Sequence, residues 1–162
     1  MDRQMRDTLV AAYKDGYRVV SEALAGIKDD ELDTAPAPGK WTVRQIVHHL
    51  ADSEMTSAIR LRLLLASPAP AIVGYDQEAF AQKLYYDTRP IEASLDAFNA
   101  ARRTSAELLD RMSEADWLRE GTHTEHGRYT VHRWLELYAA HAHGHADQIR
   151  VARDAARKAR LE

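Results

Sequence analysis

The chain has 162 residues, 45% of them hydrophobic, which is enough for one compact domain with a real core and too little for two comfortable ones. A formal net charge of −3 removes the broad positive field that would draw a protein onto nucleic acid or anionic lipid, and the lack of any cysteine removes disulfides, thiolate metal sites and a cysteine nucleophile. The opening residues MDRQMRDTLV lack the apolar run of a signal peptide, and no stretch reaches the ~20 apolar residues a bilayer requires, so a cytoplasmic chain with no membrane partner is expected.

Four long segments carry apolar residues at three- and four-residue spacing and none of comparable length alternates as a half-buried strand does, so the pattern predicts an all-α protein. The first helix runs from about Arg3 to Leu24, with Leu9, Val10, Tyr13, Tyr17, Val20 and Leu24 on one face; the stretch Asp29 to Lys40, containing DTAPAPGK, breaks it. Thr42 followed by Gln45 forms a capping-box pattern, and Val43, Ile46, Val47 and Leu50 continue as the buried stripe of a second helix reaching about Ala66. From Ser67 to Arg89 comes a long connection with one short helix expected near Asp76 to Lys83, long enough to cross between distant ends of a bundle.

Pro90 suits the first turn of a third helix, marked by Ile91, Leu95, Phe98, Leu109 and Met112 and ending near Met112, with a helical turn around SEADW after it. GTHTEHGRY reads as a turn or small hairpin. Thr130 is then placed to cap a fourth helix reaching nearly to the C-terminus, whose negative end suits Arg150, Arg153, Arg157, Lys158 and Arg160. With no repeat and no linker, the economical architecture is a single four-helix-bundle domain over residues 1–162.

HAHGHADQI, residues 141–149, holds three histidines at alternate positions. At ~100° per residue with Tyr138 as zero, His141 falls near −60° and His145 near −20°, within the arc of Val131, Trp134, Leu135, Ala142 and Ile149, while His143 and His132 fall near 140° and 120° and should face solvent. Two imidazoles four residues apart can reach one cation from successive turns, although the same pair can also be two hydrogen-bonded core histidines. In VHHLADSE of the second helix, His48 projects away from the Ile46/Leu50 stripe and is read as exposed, whereas His49 sits at its edge and is the preferred third ligand.

Three inward histidines from two helices cap a metal and leave positions open, the arrangement of catalytic sites; without cysteine, the ligands must be nitrogen or oxygen. Asp52 and Glu54 are candidates to orient a ligand imidazole or act on bound water, against a plain charged surface. Arg60, two turns beyond His49, is a candidate grip for an anionic substrate group, against a rim salt bridge. His123 and His126 flank Glu125 in a loop that could reach the bundle's mouth, and Trp41, Tyr85 and Tyr86 read as packing residues.

PGKWTVRQIVHHLADSEM, residues 38–55, and HTEHGRYTVHRWLELYAAHAHGHADQI, residues 123–149, together with YDQEAF in the long connection, resemble the signatures of the DinB/YfiT-like superfamily, and the resemblance spans nearly the whole chain. It implies a four-helix bundle holding a divalent metal, commonly zinc or nickel, on three histidines that map to His49, His141 and His145. It also implies a homodimer in many members, with activities that include metal-dependent transfer of low-molecular-weight thiols such as bacillithiol to electrophiles, and metal-dependent hydrolysis. At the position after ADS this chain has Glu54, so a fourth protein ligand does not follow.

Three functions remain open on a small-molecule substrate. A thiol S-transferase would take its sulfur from outside the cysteine-free chain; a hydrolase would activate water at the same site; a non-catalytic metal-binding bundle would do neither.

Overall fold

The structure, a computed structural model, describes residues 1–161. Its long helices are α1 (Arg3–Leu24), α3 (Val43–Ala66), α5 (Glu92–Leu109) and α7 (Val131–Ala159), with short α2 (Asp29–Leu32), α4 (Gln77–Lys83) and α6 (Glu114–Trp117) between them. The expected caps form, Thr42 and Gln45 as a reciprocal capping box and Thr130 accepting from Arg133, and Asp2 and Asp76 cap α1 and α4 by accepting from the Met5 amide and from Glu78 and Ala79. The third helix differs from expectation. Pro90 lies just outside it, Ile91 is its first half-in residue, and it stops at Leu109 rather than near Met112.

One feature lies outside an all-helical reading. Strands β2 (Glu120–His123) and β3 (Gly127–Thr130) make the expected small hairpin, and β1 (Ala71–Ile72), from the long connection, pairs in parallel with β2 through Ala71 opposite Thr122 and Ile72 opposite His123. Two residues give too little alternation for a strand to be read from sequence.

Helix α1 packs on α7 and α5, and α3 packs on α5 and α7, so α1 and α3 face each other across one diagonal and α5 and α7 across the other. The apolar interior divides into two clusters. One holds Val19 to Leu24 of α1, Val43 to Ala51 of α3, Ile91 and Phe98 beside and on α5, and Ala142 to Ala152 of α7; the other holds Tyr13, Leu61 and Leu64, Leu109, and Val131 to Ala139. The order in which each helix meets these clusters fixes its direction: α3 and α5 run the same way, α1 and α7 the opposite way. Parallel neighbours α3 and α5 are why the connection between them must be long.

Between the two clusters lies a polar layer. Arg102 of α5, 2% exposed, donates to the Glu54 carboxylate of α3 (1% exposed), to the Tyr13 carbonyl of α1 at 2.6 Å and to the Tyr138 carbonyl of α7 at 2.8 Å, while the Tyr13 hydroxyl donates to the other Glu54 oxygen. The guanidinium crosses α1 at Gly16, where a Cβ would stand 2.6 Å from its atoms, so a side chain there would drive Arg102 off its partners. A second charged cluster secures the bundle's end: Glu31 of α2 accepts from Arg153, Arg157 and Arg160, three of the basic residues expected at the last turns of α7.

Three facing expectations are corrected. His48 is fully buried, because α5 and the segment leading into it cover that side of α3; its ring lies 2.7 Å from Ser94 Oγ and 3.1 Å from the Arg89 carbonyl. His143 and His132 are half-buried rather than solvent-facing: His143 Nε2 lies 3.1 Å from the Ala12 carbonyl because α1 packs along that side of α7, and His132 stacks on Trp117.

Replacing Glu54 by Gln leaves the Arg102 charge buried without its counter-charge, and a loss of about 3–5 kcal/mol is expected in urea unfolding. The apolar pair Glu54→Leu with Arg102→Met should recover most of it. Hydrogen bonding from Arg157 and Arg153 pulls the Glu31 pKa from the ordinary 4.5 down to about 2. A depressed carboxylate stabilises fully above its unfolded pKa, so its contribution should fade as pH falls from about 4.5 towards 2, and Glu31→Gln should flatten that part of the melting-temperature profile.

Candidate metal centre

His49 belongs to the buried stretch of α3 that also carries Ile46, Val47 and Leu50, and Trp41, just ahead of the helix, sets its ring 4.8 Å from the His49 imidazole. His141 and His145 rise from successive turns of α7 beside the core residues Ala142 and Ala146. The two helices pack against each other, and this brings the three rings together as the facing argument predicts: His141 Nε2 lies 3.2 Å from His49 Nε2 and 3.2 Å from His145 Nε2.

The proton inventory shows what this cluster can hold. The Gln148 side-chain oxygen faces His145 Nδ1 at 2.9 Å, which keeps the proton on Nδ1 and leaves Nε2 a bare lone pair. His49 Nδ1 and His141 Nδ1 are buried without a partner among the described residues. Burial drives all three pKa values down, that of His49 to about 3 and that of His141 well below its usual value, with the neighbouring imidazoles adding to the effect in these two. Three neutral rings therefore point nitrogens at one another with too few protons to bond them pairwise.

A divalent cation suits that arrangement. Two nitrogens each about 2.0–2.1 Å from one ion at a tetrahedral angle stand about 3.3 Å apart, close to the observed 3.2 Å spacings. An all-imidazole set is accepted by zinc, nickel and cobalt alike.

Beside the triad opens a cavity of about 200 Å³ whose lining includes His49 and His141 with Arg60, Tyr75, His123 and Tyr129. Arg60 lines this cavity, donating to the Tyr138 hydroxyl at 3.0 Å and the Val73 carbonyl at 2.7 Å. The two acids do not join it. Asp52 accepts from the Tyr86 hydroxyl, and Glu54 is turned into the polar layer with Tyr13 and Arg102, where burial raises its pKa against the pull of the guanidinium. Glu54 anchors the fold and does not line the cavity.

His123, expected in a surface loop, is buried on β2 and lines the cavity. His123, Glu125 and His126 have ligand atoms within 4.8 Å of one another. However, His123 Nδ1 accepts from the Glu125 amide at 3.1 Å, so its proton sits on Nε2 and neither nitrogen offers a free lone pair. Gln148 was readable from its place three residues after His145 on the same helix. Tyr129 was not, since its position depends on the hairpin register opposite Gly121.

The sequence profile of the DinB superfamily matches residues 12–149. A "Putative metal-dependent hydrolase" of Oceanobacillus iheyensis is 36% identical over 132 residues, 82% of this chain and 76% of that protein. YfiT of Bacillus subtilis, with the same descriptive name, is 31% identical over 150 residues, 92% of this chain and 84% of its own. A solved structure of Bacillus subtilis YfiT, described as a probable metal-dependent hydrolase with an unusual four-helix bundle topology, superposes with a TM-score of 0.88 at 29% identity, covering 98% of this chain and 90% of that one. Matched along most of its length in sequence and in fold, the chain belongs to the DinB superfamily.

Proposed function

We propose that this protein is a metal-dependent enzyme that transfers a low-molecular-weight thiol, of which bacillithiol is one, to a small electrophile. The observation that carries the metal dependence is the convergence of three proton-poor Nε2 atoms, from His49, His141 and His145, beside an open cavity. The names of the relatives agree with it. When bound there, zinc or nickel supplies Lewis-acid chemistry, lowering the pKa of a thiol or a water brought to it.

Transfer is favoured over hydrolysis by the state of the nearby carboxylates. Asp52 is tied to Tyr86 and Glu54 to Tyr13 and Arg102, so neither stands free to take a proton from water. A thiol, with an ordinary pKa of ~8.5, needs far less help from a base. Hydrolysis is the second reading, supported by Glu125, whose carboxylate belongs to a residue lining the cavity. In either case Gln148 holds His145 in the tautomer that frees Nε2, and Trp41 packs against the His49 ring.

Metal analysis of purified protein should find one divalent ion per chain, with most of it lost from His49→Ala, His141→Ala and His145→Ala and retained in His143→Ala; equal loss from all four would sink the three-imidazole site. Supplied with a small electrophile such as monobromobimane, the metal-loaded protein should accelerate its consumption only when thiol is present, and chelation should abolish the acceleration. Turnover of ester or amide substrates without thiol would establish hydrolysis instead, and turnover of neither class would leave a binding protein.

A further inference from the structure

Three buried arginines of this chain each meet a carboxylate: Arg6 meets Glu114, Arg102 meets Glu54 and Arg153 meets Glu31. Arg60 breaks the pattern. Half-buried on the cavity wall, it donates to two neutral oxygens, the Tyr138 hydroxyl and the Val73 carbonyl, and lies 5.9 Å over the Tyr75 ring, with no carboxylate within 4.0 Å among the described residues. Those two bonds leave Nε–H and one hydrogen on each terminal nitrogen uncommitted, and Nε is buried without a partner.

Two further donors share that cavity. Tyr129, 2% exposed, has a buried hydroxyl with no hydrogen bond. His123, 4% exposed, carries its proton on Nε2, for which the described residues provide no acceptor. A guanidinium with spare N–H groups and no counter-charge, a phenol and an imidazole N–H without acceptors are costly to bury, and a negatively charged oxygen relieves all three at once. Glu125 also lines the cavity, but its recorded ion pair is with His126 at 3.9 Å.

We propose that Arg60, Tyr129 and His123 form an oxyanion-binding wall, so that the substrate is a small molecule carrying a carboxylate or phosphate group held here while its reacting atom faces the His49/His141/His145 cluster. The assignment of the reacting end rests on the metal-site reading above; the anion site itself does not.

The test is titration of the protein, both metal-loaded and chelated, with succinate, inorganic phosphate and neutral succinamide, followed by calorimetry or amide chemical shifts. Binding of succinate or phosphate to the chelated protein is expected, with succinamide at least tenfold weaker. Arg60→Gln should weaken the anion by about tenfold or more and Tyr129→Phe by less, with metal content unchanged in both. Glu125→Gln, which removes a cavity carboxylate, should tighten it. Whichever of succinate and phosphate binds more tightly names the oxyanion. Equal affinity of wild type and Arg60→Gln, or equal binding of succinamide, would overturn the proposal even in a fully metallated protein. Anion binding in a protein that takes up no metal would uphold this wall and overturn the metal site instead.

Discussion

A single guanidinium organises the bundle. Arg102 reaches from α5 to a carboxylate on α3 and to backbone carbonyls on α1 and α7, so one side chain touches all four long helices. It lies between two apolar clusters that slippery aliphatic packing alone would leave free to adjust. An ion pair at this depth adds little net stability over an apolar substitute, but misalignment of any helix by one turn strands a buried charge. Because Glu54 follows His49 by five residues and the Tyr138 carbonyl lies one turn before His141, the contacts that set helix register also set the imidazoles.

The same arrangement explains why the site lies where it does. Parallel neighbours α3 and α5 require a long return, and that return supplies Gly74 and Tyr75 to the cavity and the Val73 carbonyl to Arg60. The diagonal passage from α5 to α7 supplies the β2–β3 hairpin with His123 and Tyr129. Topological cost and binding wall are one feature: the loops needed to connect the helices in this order are the loops that enclose the space beside the histidines.

Much of this was legible in the chain itself. Three- and four-residue spacing located the long helices, Thr42/Gln45 and Thr130 marked two of their starts, and a turn of ~100° per residue separated His141 and His145 from His143. What resisted reading depended on contacts between segments far apart in sequence. His48 looked exposed because the α3 stripe shows one buried face, whereas the return to α5 covers a second. Glu54 looked available because a charged residue near a ligand invites a role in catalysis, and Arg102, its partner 48 positions away, carries no local sign of burial. Tyr129 and His123 face the cavity through hairpin register, and β1 is too short to leave any periodic trace.

The strand pairing between β1 and β2 divides the cavity into parts of unequal firmness. The imidazoles are rooted in long helices whose core must be disrupted to move them. The opposite side is fastened by a two-residue ladder, by bonds such as that from the Gly74 amide to Thr124 Oγ1, and by Ile72, buried in the second apolar cluster. The ligand cluster is thus held by two long helices, and the wall facing it by one short strand pairing and the burial of Ile72 beneath it.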